Sequence, residues 1–234
     1  MSNSYFRFKQ FTVRHDLCAM KVGTDGVLLG AWADCDGTKN ILDIGTGSGL
    51  VALMLAQRSS TFVHALDIDE NACRQAEINY KNSPFNERLT IEKADFHLWN
   101  TSLRFDLLVS NPPYFVDSLK PPNAARSAAR HNDTLHPEIL IRKSISLMSA
   151  RSRLAVILPV GNSEQFHSLS IANQLYPCRR TFVMSLLHKP PIRVLMEYAN
   201  YPVDYKEDNL TIETAPKVFT ENFICLMKEF YLKL

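Results

Sequence analysis

The chain has 234 residues, 46% of them apolar and 21% charged, with 8 Gly and 12 Pro; this excludes disordered, collagen-like and low-complexity classes and suffices for one large domain, alone or with a small appendage. Its net charge of +2 hides an uneven distribution, since residues 1–30, 31–114, 115–195 and 196–234 carry +2, −4, +7 and −3, and the third block is suited to drawing a nucleic-acid backbone toward the acidic block before it. No apolar run reaches the ~18 residues of a membrane span, and the N-terminus lacks a secretory h-region, so a cytoplasmic chain with no membrane partner is expected.

In chain order, residues 5–13 alternate partially and are rich in aromatics, which predicts a short strand or hairpin. Residues 24–33 read as a short buried helix capped by Thr24 or Asp25. From residue 40 the pattern becomes apolar strand, turn, helix, repeated, the signature of a parallel sheet with helices on its faces. Strands are expected at 40–44, 62–66, 88–92, 105–110 and 154–158, and helices at 50–57, 72–80, 135–148 and 163–174. Two β-rich runs at 180–187 and 192–199 are joined by too few residues for a crossover helix, so they must pair antiparallel. The main domain is taken as 1–200. Residues 201–234 form a C-terminal tail with an edge strand near 210–212 and a helix near 219–232, packed on the same domain.

Five cysteines, the closest pair 17 positions apart, form no C-x-x-C clamp or disulfide framework, and the seven histidines show no metal spacing. No metal is expected.

The first strand passes into a helix through Asp43-Ile-Gly45-Thr-Gly47-Ser-Gly49. Glycines there let a ligand approach the backbone and leave helix N–H groups facing it. The third glycine of a dinucleotide fingerprint would fall at position 50, which is Leu50, so nicotinamide and flavin cofactors are disfavoured. Asp43, at the strand tip, is expected to face a ligand amine. Asp67 ends the second strand, where a carboxylate can accept two hydrogen bonds from a ribose diol, and Asp69 is read as the cap of the next helix. Asp95, beside Phe96 after the third strand, can accept from an adenine amino group. Carboxylates at the carboxyl ends of successive parallel strands converge on the crevice where such sheets bind ligands, and this set fits S-adenosylmethionine.

The fourth strand runs into Asn111-Pro112-Pro113-Tyr114. Two prolines stiffen the loop, so the Asn111 amide and the Pro112 carbonyl are presented rigidly. Methylating an aromatic amine is difficult because its lone pair is delocalised into the ring. Two acceptors aimed at the amine hydrogens favour the pyramidal, reactive form and stabilise positive charge developing on nitrogen. Tyr114 offers a stacking face for a base and Phe115 a second.

With these residues the sequence resembles class I S-adenosylmethionine-dependent methyltransferases of the Asn-Pro-Pro-Tyr group. Through Phe8-Lys-Gln-Phe-Thr-Val and the stretch from Met20 to Trp32 it is similar, within that group, to the bacterial tRNA1(Val) adenine N6-methyltransferases. The resemblance implies an α/β, Rossmann-like fold with a seven-stranded, mostly parallel sheet in the order 3-2-1-4-5-7-6, the last strand antiparallel and helices on both faces. It implies methylation of N6 of the adenosine at position 37 of the tRNA. It also implies that Asp43, Gly45, Gly47, Asp67 and Asp95 line the cofactor site and that Lys21, Thr24 and Asp25 lie near the methionine end. Lys120, Arg126 and Arg130 are expected to contact RNA phosphates, and Arg179, Arg180, Lys189 and Arg193 to hold the anticodon loop. The enzyme is expected to act as a monomer.

Two other readings fit the sequence. The Asn-Pro-Pro-Tyr loop also serves methylation of a glutamine side chain in release factors, which would call for a peptide groove instead of a basic block. An RNA-binding or assembly protein could keep the fold without turnover.

Overall fold

A computed structural model describes residues 3–18, 20–113 and 135–234. The first elements are a hairpin, β1 (Tyr5–Arg7) and β2 (Thr12–Arg14), and helix α1 (Thr24–Trp32). Alternation of strands and helices follows: β3 (Asn40–Ile44), α2 (Leu50–Arg58), β4 (Phe62–Asp67), α3 (Glu70–Lys81), β5 (Leu89–Lys93) and β6 (Phe105–Ser110). After the undescribed stretch come α4 (Pro137–Leu147), β7 (Met148–Pro159), α5 (Val160–Ala172), β8 (Tyr176–Leu186) and β9 (Arg193–Ala199). The chain closes with β10 (Lys206–Ala215), β11 (Val218–Phe219) and α6 (Glu221–Met227).

Among the described residues the main sheet has nine strands in the order β11-β10-β8-β9-β7-β6-β3-β4-β5, two more than the seven expected. Strands β3 to β9 follow the expected order, with β9 antiparallel to both its neighbours. The additional strands come from the tail. β10 runs parallel beside β8, and β11 pairs antiparallel with β10. Only a fragment of β10 was visible as a strand because residues Lys206–Asn209 are exposed and polar, which suits a strand near a sheet edge that must not recruit a foreign strand.

Each face of the sheet covers one core. On one side, α1, α2, α3 and the hairpin, through Phe8, Phe11 and Val13, pack with Phe223, Met227 and Phe230 of the C-terminal region. On the other, Leu140, Ile141 and Phe166 of α4 and α5 pack against Leu108, Leu154 and Met196. The tail therefore completes the core that carries the N-terminal hairpin, and Lys9 donates from its backbone N to Phe230 O at 2.8 Å.

Three of the boundaries that differ from expectation have clear local reasons. The cap of α1 is Gly23, with no side-chain bond, and not Thr24 or Asp25; Asp25 is engaged by Arg193 instead, at 2.8 Å. β7 begins six residues early, because Ser149 and Ser152 satisfy the polar start of the strand by donating to Asp106 Oδ1 (2.7 Å) and Phe105 O (2.6 Å). The C-terminal helix is a short one, opened by Thr220, whose hydroxyl accepts from Phe223 N at 3.2 Å.

Candidate active site

β3, β4, β5 and β6 all end at the same edge of the sheet, so the segments leaving them converge. The glycine turn after β3 is drawn toward β4 by two bonds, Gly45 N and Thr46 N donating to Leu66 O at 2.9 and 3.0 Å. The chain leaving β5 is tied to β4 by Ala94 N donating to Asp67 O at 2.9 Å. At the end of β6 the Ser110 hydroxyl donates to Ile44 O at 2.9 Å, which brings Asn111 beside the turn. Between these segments lies a cavity of about 670 Å³ whose walls include Gly45, Gly47, Asp67, Asp95, Phe96, Asn111, Pro112 and Pro113. Its size is that of a small-molecule or cofactor site.

The turn residues divide by role. Gly45, Gly47 and Gly49 have φ of +71°, +57° and +81°, where an L side chain is strained. A Cβ at Gly45 or Gly47 would meet nothing within 4 Å, so their backbone borders open cavity space. At Gly49 a Cβ would lie 2.5 Å from Tyr80 Cε1. Gly49 is thus a packing contact under the turn, not a cavity wall.

Asp43 departs from the expected ligand contact. It is 1% exposed, and its Oδ2 accepts from Thr46 Oγ1 at 2.6 Å and Ala52 N at 3.1 Å. The carboxyl braces the turn from beneath, and burial pushes its pKa up to about 7, against the hydroxyl and amide that favour the charged form. Burial also raises the hydroxyl of Tyr80, which lies 3.2 Å from Thr46 Oγ1.

Asp67 does face the cavity. Its Oδ2 accepts from Gly47 N at 2.8 Å and its Oδ1 from Asp69 N at 2.9 Å, which leaves each oxygen a lone pair for a ligand hydroxyl. Asp95 accepts from His97 N at 2.9 Å, which orients its carboxylate beside the buried Phe96 ring. Asp69 caps α3, its Oδ1 accepting from Asn71 N at 2.7 Å and Ala72 N at 2.9 Å. The Asn111 side chain and the Pro112 carbonyl have no hydrogen-bond partner among the described residues, although Pro112 is buried. Tyr114, Phe115, Lys120, Arg126 and Arg130 lie outside the described residues.

The N-terminal segment supplies a wall that the sequence did not reveal. Cys18 and Met20 line the cavity, whereas Lys21, Thr24 and Asp25 do not. Burial, reinforced by Asp67 and Asp69, pushes the Cys18 thiol up to about 11, so it stays neutral and serves as wall, not as nucleophile. The segment is held by two buried amides of α3. Gln75 Oε1 accepts from Leu17 N at 2.9 Å, and Asn79 accepts from Arg14 N at 2.9 Å while donating to Arg14 O and Ser48 O, both at 2.8 Å.

Of the four basic residues expected to hold the anticodon loop, Arg179 and Arg180 are committed elsewhere, and Arg193 has an acidic partner too. Arg179 donates to Trp32 O at 2.7 Å and to Glu197 at 3.1 Å, and its guanidinium lies 3.7 Å over the Trp32 ring. Glu197 is 2% exposed and also faces Arg153 at 3.4 Å. Arg180 pairs with Glu164 and covers Phe182. Both arginines lie within β8, Arg180 level across the sheet with Met196, Val156 and Ser110, so it is their internal partners and the three strand spacings between β8 and β6, not height along the sheet, that keep them from the cavity. Lys189 and Arg193 sit in and after the turn that leaves β8, on the cavity's side, where Arg193 pairs with Asp25. A charge count cannot separate these two pairs, because it does not see the buried Glu197.

Among the described residues no group of three or more His, Cys, Asp and Glu could hold a metal ion, and no helix is long and apolar enough to cross a membrane.

The family model described as methyltransferase small domain matches residues 22–132. Over its full length the chain is 47% identical to a protein of Bacteroides fragilis (strain YCH46) and 43% identical to one of Trichodesmium erythraeum, covering 100% of each; both are named tRNA1(Val) (adenine(37)-N6)-methyltransferase. Among solved structures, a predicted O-methyltransferase of Agrobacterium tumefaciens superposes with a TM-score of 0.70 at 18% identity, over 88% of this chain and 96% of that one. A putative class I S-adenosylmethionine-dependent methyltransferase of Listeria monocytogenes gives 0.59 at 12% identity, over 87% and 68%. At these identities the two structures establish a shared fold.

Proposed function

The chain belongs to the tRNA1(Val) (adenine(37)-N6)-methyltransferase family of S-adenosylmethionine-dependent enzymes, and on that premise we propose that it methylates N6 of the adenosine at position 37 of tRNA1(Val), acting as a monomer in the cytoplasm. The open space over Gly45 and Gly47 and the carboxylate acceptors of Asp67 and Asp95 fit the cofactor. In this reading Asp67 takes the ribose hydroxyls, Asp95 and Phe96 the adenine, and the glycine turn the methionine part. When bound, S-adenosylmethionine supplies an activated methyl group on a sulfonium.

The rest of the work falls to the chain. Asn111 Oδ1 and the Pro112 carbonyl accept the two hydrogens of the target amine, which biases the nitrogen toward the pyramidal form and stabilises the charge that develops on it. No strong base is needed beforehand, since the methylated amine is acidic enough to lose its proton afterwards. Tyr114, following the two prolines, stacks on the base, which must leave the anticodon loop at a cost of a few kcal/mol. Lys120, Arg126, Arg130, Lys189 and Arg193 are assigned to the RNA backbone.

The observation that carries this reading is the pair of acceptors, Asn111 and the Pro112 carbonyl, that have no partner among the described residues and stand on the wall of the cavity that holds Asp67 and Asp95. The test is incubation with methyl-labelled cofactor and either total tRNA or release factor, followed by nucleoside digestion. Label in N6-methyladenosine is expected; label in protein and none in RNA would overturn the proposal.

A further inference from the structure

The N-terminal hairpin has one face committed to the core and one committed to nothing. Val13 is fully buried, and Phe8 and Phe11 at the bend are nearly so. In the register of the pair, Tyr5 faces Arg14 and Arg7 faces Thr12, so these four side chains share the opposite, exposed face. Arg58, Arg88, Arg153, Arg179 and Arg180 all donate to protein acceptors. The guanidinium groups of Arg7 and Arg14 bond to nothing among the described residues.

The backbone under this face is nonetheless rigidly placed. One amide, that of Asn79 (2% exposed), grips both the N–H and the carbonyl of Arg14 and reaches Ser48 in the glycine turn. The fold fixes the backbone from which the Arg14 side chain extends, and no carboxylate pairs with that side chain among the described residues. Between hairpin and helix runs a groove of about 620 Å³ lined by Arg7, Lys9 and Arg14, with Asp16 as its single carboxylate. Ala72 borders the cofactor cavity and Asn82 the groove. The groove follows α3 from Gln75 to Asn82, so its far end lies ten helical steps, ~15 Å at the helical rise, from Ala72, the reach of a few nucleotides.

We propose that the outer face of this hairpin, with the groove beside α3, is a second contact surface for the tRNA substrate, taking its phosphate backbone away from the target base. The inference rests on the tRNA reading above. Guanidinium groups bind phosphate bidentately, and an exposed Tyr5 among them adds a stacking face.

The test uses the full chain with Arg7→Gln and Arg14→Gln together, labelled tRNA1(Val) transcript, and equilibrium binding by fluorescence anisotropy across a salt series, which needs no turnover. The expected result is a rise in tRNA Kd of about tenfold and a salt slope shallower by about 1.5, as the loss of two phosphate contacts requires. Cofactor affinity and Tm should stay at the parent values, and Arg7→Lys with Arg14→Lys should restore most of the slope, because lysine still neutralises phosphate. A tRNA Kd within twofold of the parent with the slope unchanged would overturn the proposal. So would an equal loss of cofactor affinity, which would make the hairpin part of the cofactor wall. Methyl transfer by the parent, followed in parallel, decides the tRNA reading separately: a parent that binds tRNA and never methylates it defeats that reading and leaves this inference to the anisotropy.

Discussion

Gly47 and Gly49 lie two positions apart in one turn, both at positive φ, yet an added methyl group should damage different properties. At Gly49 an alanine incurs the left-handed penalty of ~1–2 kcal/mol. Its Cβ would also stand 2.5 Å from Tyr80 Cε1, in a ring that is 3% exposed and cannot swing aside; overpacking of that kind costs ~1–3 kcal/mol. Taken together, Gly49→Ala should lose about 3 kcal/mol, or about 10 °C in Tm for a chain of this size. Gly47→Ala has the backbone penalty without the collision, so its Tm should fall by only about 4 °C. Its new methyl group stands in the cavity, so cofactor affinity should fall by more than tenfold. Thermal unfolding and calorimetric titration with S-adenosylmethionine separate the two outcomes. The reasoning is refuted if Gly49→Ala melts with the parent, or if Gly47→Ala binds the cofactor as tightly as the parent does.

Asp67→Ala should weaken cofactor binding by ~1.5–3 kcal/mol, the scale of hydrogen bonds to a charged acceptor; unchanged calorimetric affinity would move the ribose contact elsewhere. Asp43, raised from 3.8 to about 7 by burial, binds a proton in the folded state that the unfolded chain has already lost, so stability falls as pH rises between those values and levels off above them. Relative to Asp43→Asn, the parent should lose about 3 kcal/mol between pH 5 and pH 8 by denaturant unfolding, and parallel curves would exclude this role. Arg179→Ala should lower Tm by leaving the Glu197 carboxylate short of a partner, at a cost of ~3–5 kcal/mol, while the KM for tRNA stays within twofold. A selective rise in that KM would return Arg179 to the RNA surface.

Much of the site was legible because its signals are local. The strands Asn40–Ile44 and Phe105–Ser110 are apolar runs bounded by turn residues, and Asp69 stands where a helix cap must. The direction of the Asp43 side chain was not legible, since an acid at a strand tip reads the same whether it faces ligand or core. Cys18 and Met20 reach the cavity only through the grip of Gln75 and Asn79 on a distant segment, a contact that no periodicity encodes. Strand β10 was mostly hidden for a related reason: its polar residues satisfy the sheet edge and not a core.

The most direct measurement is the rate of methyl transfer by Asn111→Ala at saturating cofactor and tRNA, with cofactor affinity titrated on the same preparation. Removing one of two acceptors that act on developing charge should slow transfer by about 10²–10³-fold while the cofactor binds as before. A rate within twofold of the parent would contradict the claim that Asn111 draws the amine out of conjugation.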